Sequence, residues 1–128
     1  MKKVMRLLLV PMLMMLAAPA YSDPVSMFLQ CSQDDEATRK DLETVASKWL
    51  KAAKTAKGGE KLELYLHFPV VAKMGEFDFA FVIRAPSIAE WGIFMDGYQD
   101  SAAHKFDKEW DKLATCPNSS LWKTIQVN

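Results

Sequence analysis

The sequence predicts an α+β domain: one antiparallel sheet of four strands with helices on a single face, in the order β-α-β-β-α-β. Three observations predict it. Segments 25–31, 61–68 and 77–84 alternate apolar and polar residues with the two-residue period of a strand. The stretches between them carry apolar residues at the three- and four-residue spacing of amphipathic helices. The two cysteines, Cys31 and Cys116, fall where the first strand ends and the last begins.

Residues 1–22 read as a secretory signal peptide, leaving 23–128 as a single domain. Lys2, Lys3 and Arg6 precede the apolar run Leu7–Ala18, and Ala20-Tyr21-Ser22 places small residues ahead of Asp23. The run is too short for a membrane span and no cysteine follows it for a lipid anchor, so no stable membrane anchor is expected. The Lys-Lys start and Met/Leu-rich core look bacterial, which implies a periplasmic or secreted protein. Three of the 16 basic residues and none of the 16 acidic ones lie in this leader, so the mature chain carries a net charge of about −3. That balance argues against a nucleic-acid partner. In an oxidising compartment the distant cysteine pair reads as a disulfide. A CxxC motif is absent from the sequence and its two histidines are far apart, so no metal site and no cofactor are expected.

In the first strand Val25, Met27, Leu29 and Cys31 face one way, and Ser26, Phe28 and Gln30 the other. Asp34 or Asp35 then caps a helix whose inner stripe is Leu42, Val45, Trp49, Ala53 and Ala56, ended by Gly58-Gly59. Leu62, Leu64, Leu66 and Phe68 oppose Glu63, Tyr65 and His67 in the second strand, which Pro69 stops. After a turn at "KMGE", Phe77, Phe79, Phe81 and Ile83 oppose Asp78, Ala80, Val82 and Arg84. Ser87 and Glu90 form a capping-box signature opening a second helix. There Ile88, Trp91, Met95 and Tyr98 share one face, with Phe94 beside it, as core packed on the sheet. Gly97 weakens that helix, and a further helical piece runs from about Ser101 to Leu113 with Ala103, Phe106, Trp110 and Leu113 on one side. "CPNSS" reads as a turn, and 121–127 as the fourth strand.

Two split β-α-β units in this order make a ferredoxin-like sheet. Its fourth strand lies antiparallel beside the first, which brings Cys31 to Cys116. The sheet face away from the helices then collects Ser26, Phe28, Gln30, Glu63, Tyr65 and His67, with Asp78, Ala80, Val82 and Arg84 beside them. The last strand adds Trp122, Thr124 and Gln126. Such a face is too apolar to stand bare in water and too charged for a dry core.

The element order, the helix ending at Gly58-Gly59 and "FDFAFVIRAPSIAEWG", above all Arg84 to Trp91, resemble the dimeric α/β-barrel superfamily. The resemblance implies a homodimer paired through its sheets, with a cavity on the helix-free side. That superfamily includes monooxygenases of antibiotic biosynthesis, haem-degrading enzymes, chlorite dismutase relatives and stress-associated proteins. No catalytic motif of these proteins is matched residue by residue, so no activity is carried over.

The resulting expectation is a secreted homodimeric domain that binds a small apolar or aromatic molecule. Phe28, Gln30, Tyr65, His67, Val82, Arg84 and Trp122 would line the site. A cofactor-independent monooxygenase or isomerase is the alternative, with Tyr65, His67, Asp78 and Arg84 converging as catalytic groups. A purely structural or stress-associated dimer is the other. His104, among Lys105, Asp107, Lys108 and Asp111, reads as part of a solvated helix face.

Overall fold

The two-residue periods are realised as four strands: β1 (Val25–Gln33), β2 (Glu63–His67), β3 (Phe79–Ala85) and β4 (Ala114–Lys123). The computed structural model describes residues 23–71 and 75–128. The expected leader, and Lys73 and Met74 of the expected turn, lie outside the described residues. The strands pair antiparallel in the spatial order β2-β3-β1-β4, the ferredoxin-like arrangement. Along β1, Val25, Met27, Leu29 and Cys31 turn toward the helices, because successive side chains point to opposite faces of a strand.

The helices are α1 (Arg39–Ala53), α2 (Ile88–Asp96) and the single turn α3 (Asp107–Trp110). Two 3₁₀ turns, Tyr98–Asp100 and Ala103–Phe106, carry the chain from α2 to α3. They replace the continuous helix expected from Ser101. Leu42, Val45, Trp49 and Ala53 bury the inner stripe of α1. On α2 the buried pair is Trp91 and Phe94, whereas Ile88 and Met95 are 59% and 44% exposed. The buried arc of so short a helix is narrower than the apolar face read from its spacing.

The cap of α1 also differs from expectation. Asp34 instead closes a local turn, accepting from the Glu36 N–H at 3.1 Å. Thr38 caps the helix in a reciprocal box with Asp41. The Thr38 hydroxyl and N–H both reach the Asp41 carboxylate, which holds Asp41 below its ordinary value of 3.8. The Ser87 cap of α2 is as expected, its hydroxyl accepting from Glu90 N–H at 3.1 Å.

β4 begins earlier than expected and contains "CPNSS". Between Gln30↔Asn118 and Ser32↔Thr115 the register shifts, so that Cys116 and Pro117 together stand opposite Cys31. A bulge of this kind on an edge strand tolerates proline, which has no N–H to lose from the ladder. Thr124 and Gln126 lie beyond the end of β4, although Thr124 N–H still reaches the Pro24 carbonyl at 2.9 Å. The Cys31–Cys116 disulfide forms at the bulge, S–S 2.07 Å. Linking residues 85 apart restricts the unfolded chain and stabilises the fold by about 4 kcal/mol. Among the described residues no helix is long and apolar enough to cross a membrane.

Gly58-Gly59 does not end α1, which stops at Ala53 with Lys54 as its C-cap and leaves Ala56 beyond the helix; the pair acts on α2 instead. Gly58 adopts φ +81°, and a Cβ there would stand 2.7 Å from the Glu90 carbonyl oxygen and the Phe94 nitrogen on α2. A Cβ on Gly59 would fall 2.0 Å from the Ala53 carbonyl oxygen. The pair therefore sets how closely the end of α1 approaches α2. Gly59→Ala is expected to cost about 2 kcal/mol or more, roughly 10 °C in Tm for a domain of this size. Gly92→Ala, on a helix where the added Cβ meets nothing within 4 Å, is expected to gain about 0.5–1 kcal/mol. Thermal denaturation followed by circular dichroism checks both signs.

Candidate functional site

The helix-free sheet face is organised in rows by the strand registers. Tyr65, Val82, Phe28 and Ser120 form one row across all four strands; Glu63, Arg84, Ser26 and Trp122 form the next. His67, Ala80, Gln30 and Asn118 form the third. The residues expected to line a site here, Phe28, Gln30, Tyr65, His67, Val82, Arg84 and Trp122, all belong to these rows. Phe28 meets His67 and Trp122 edge-on, with ring centroids 6.2 and 6.5 Å apart. Tyr65 and Trp122 are 43% and 61% exposed, so aromatic surface is left open to solvent.

The four expected catalytic groups do not converge. Asp78 and Arg84 are six residues apart on one extended segment, roughly 20 Å. Asp78 lies just outside β3, and its carboxylate accepts from the Gln33 N–H at 2.8 Å. Arg84 instead faces Glu63, Nη1 to Oε2 3.5 Å, and the Tyr65 hydroxyl donates to the same oxygen at 3.1 Å. Both partners of this pair are about half exposed, which makes it a weak surface contact. His67 stands four residues of β3 away from Arg84, against Phe28 and Tyr65.

A walled cavity lies on the other side of the sheet. It is a half-open cleft of about 420 Å³ between the sheet and the helices. That volume is within the range of small-molecule sites. Its floor is Met27 and Leu29 of β1 with Phe81 and Ile83 of β3. Trp49 of α1, Trp91 and Phe94 of α2, and Tyr98 and Trp110 beyond it form the walls. The rings meet edge-on: Trp49 to Phe81 and to Phe94 at 5.9 and 6.0 Å, and Phe81 to Trp110 at 4.7 Å. Rigid plates in such contacts hold the layers apart and leave gaps that flexible aliphatic chains would fill.

A hydrogen-bond chain ties this wall together. The Trp49 indole N–H donates to the Tyr98 oxygen at 2.9 Å, and the Tyr98 hydroxyl donates to Asp107 Oδ1 at 2.5 Å. His104 Nδ1 holds the second oxygen, Oδ2, at 2.9 Å from the solvent side. Burial first, and then the bond to Asp107, push the Tyr98 phenol well above its ordinary value of 10.0. Tyr98 and Asp107 both line the cavity, and Asp111 sits at its exposed rim. His104 and Asp107 thus belong to a network rather than to a bare solvated face. Their i, i+3 spacing was the readable signal, but the 3₁₀ turns obscured which face they share with Tyr98.

No family model matches the chain and no curated protein resembles it in sequence. Its structure, however, is similar to solved ones. SnoaB, a cofactor-independent oxygenase from Streptomyces nogalater, matches with a TM-score of 0.54 at 10% identity, over 83% of this chain and 97% of the oxygenase. A hydroxynitrile lyase from Passiflora edulis matches at 0.54 and 14% identity, over 82% of this chain and 94% of the lyase. A dabb family protein with a ferredoxin-like fold from Mesorhizobium loti matches at 0.50 and 8% identity, over 84% and 100%. The chain is a ferredoxin-like α+β domain, and its resemblance to the dimeric α/β-barrel superfamily holds at the level of fold.

Tyr98 yields a prediction through linkage. Below its ordinary value the phenol is protonated both folded and unfolded. Above it, the unfolded chain releases the proton while the folded chain keeps it, so stability falls as pH rises past about 10. In an alkaline absorbance titration of the folded protein one phenol should ionise late, and Tyr98→Phe should abolish that late phase. The same variant should flatten the alkaline loss of stability.

Proposed function

We propose that the chain is a secreted small-molecule-binding domain that takes a compact apolar or aromatic ligand into the cavity between sheet and helices. The observation that carries this is the 420 Å³ space itself. A domain of about 106 mature residues has little core to spare, and a half-open cleft against that core leaves aromatic ring surface facing the opening rather than packed. Aromatic walls with a polar end are the usual makeup of a ligand pocket. The disulfide and the leader-like first 22 residues support an oxidising compartment, periplasmic or extracellular.

The helix-free face has a separate role in this reading, as the surface through which two copies pair. Phe28, Tyr65 and Trp122 would be covered by the twin, over the already buried Val82, with the Glu63–Arg84 pair at the edge. Gln30 and His67, expected around a ligand, become interface residues beside them. A cofactor-independent enzyme is the second reading. The likeness in fold to SnoaB, a cofactor-independent oxygenase, supports it, and the Tyr98–Asp107–His104 chain offers linked acid and base groups at the cavity wall.

Binding is tested with a neutral aromatic probe, 2-naphthalenemethanol, followed by quenching of Trp49, Trp91 and Trp110. Saturable binding is expected in the wild type and at least ten-fold weaker binding in Met27→Trp or Leu29→Phe, which fill the floor. Absence of saturable binding in the wild type refutes the reading. Phe28→Asp should convert a sedimenting dimer to a folded monomer; a wild type that is monomeric at micromolar concentration rules out the pairing.

A further inference from the structure

The polar groups around the cavity are not balanced between donors and acceptors, and this deepens the reading of the cavity as a ligand site, on which it rests. Three aromatic donors at the wall are already committed. The Trp49 N–H is spent on Tyr98, the Tyr98 O–H on Asp107, and the Trp110 N–H points onto Cys116 Sγ at 3.4 Å. The charged residues that line the space, Asp107 and Asp111, are both acidic, and no lysine or arginine lines it among the described residues. Neutral donors remain in the Ser119 hydroxyl and the Trp91 indole, but neither carries charge. Lys48, one of four cationic residues on the facing helix α1, is engaged with Glu109 at 3.6 Å.

We infer that the cavity selects a protonated amine carried on an apolar or aromatic body, and discriminates against carboxylates of the same shape. The body fills the space over Phe81 and Ile83. Its ammonium lies toward Asp107 and Asp111 at the open side, where it donates charge-assisted hydrogen bonds to acceptor-only carboxylates. Asp107 has one oxygen bonded to Tyr98 and the other to His104, yet each carboxylate oxygen has a second lone pair to offer. The indole and phenol faces add to the preference, because the negative face of an aromatic ring attracts a cation and repels an anion. An anionic ligand would set its charge beside two carboxylates with no fixed cation to meet it.

Three naphthalene probes of matched shape test the inference at low salt: 2-naphthylmethylamine, 2-naphthalenemethanol and 2-naphthoate. The amine should bind at least ten-fold more tightly than the carboxylate, with the alcohol between them. The amine–carboxylate gap should shrink as salt is added. Asp111→Asn, at an exposed position that leaves the core untouched, should weaken the amine several-fold and leave the alcohol unchanged. Asp107→Asn should weaken the amine further, with circular dichroism reporting whether the wall holds. Equal or tighter binding of the carboxylate overturns the inference while the ligand-site reading stands. An amine preference that survives both substitutions also overturns it, since the carboxylates would not be its source. If none of the three probes binds, the ligand-site reading itself fails.

Discussion

The distance between helix layer and sheet is set by aromatic rings, and everything proposed for this molecule depends on that spacing. Trp49 is the central piece. Its ring meets Phe81 on the sheet and Phe94 on α2, and its N–H is anchored to Tyr98, itself fastened to Asp107. A buried polar tip that must keep its partner fixes the orientation of the whole ring. The indole therefore stays upright between the layers instead of collapsing onto the sheet. Elsewhere in the helix layer the glycine pair after α1 lets the chain approach α2 backbone to backbone, which fixes α2 relative to α1.

Much of the fold was legible because its elements repeat with simple periods. The alternation of Leu62, Leu64 and Leu66 with Glu63, Tyr65 and His67 marks both the strand and the two faces it presents. The agreement between the cysteine positions and the strand order was legible for the same reason. What escaped were features that periodicity does not encode. Pro117 and its neighbours have turn composition, yet an edge strand with a bulge accepts them. Thr38 was passed over for the acidic pair before it because competing caps look alike until the backbone direction is known. The 3₁₀ turns after Gly97 have no 3.6-residue repeat, so the company kept by His104 and Asp107 was hidden.

The site itself was legible only in part. Sequence alternation correctly assembled the mixed polar-aromatic face, but the expected convergence of Tyr65, His67, Asp78 and Arg84 ignored length along the strand. Six extended residues separate the ends of that group, whatever face they share. The walled cavity required knowing how large rings pack against one another, which side-chain spacing alone does not specify. Trp49, Phe81, Phe94 and Trp110 were all read as core, and they are core; the space they leave between them is the one the proposed function uses. An oxygenase and a lyase are similar to this chain in fold, and a fold by itself does not fix function.

Whether the rings hold that gap open is answered most directly by crystals of residues 23–128 pressurised with xenon. Xenon enters apolar cavities without needing any specific ligand chemistry. Ordered xenon density among Trp49, Phe81 and Phe94, with Trp49 still hydrogen-bonded to Tyr98, is the predicted result. A xenon-free interior in which α2 has settled onto β3 and the rings have closed over Met27 and Leu29 would contradict the account.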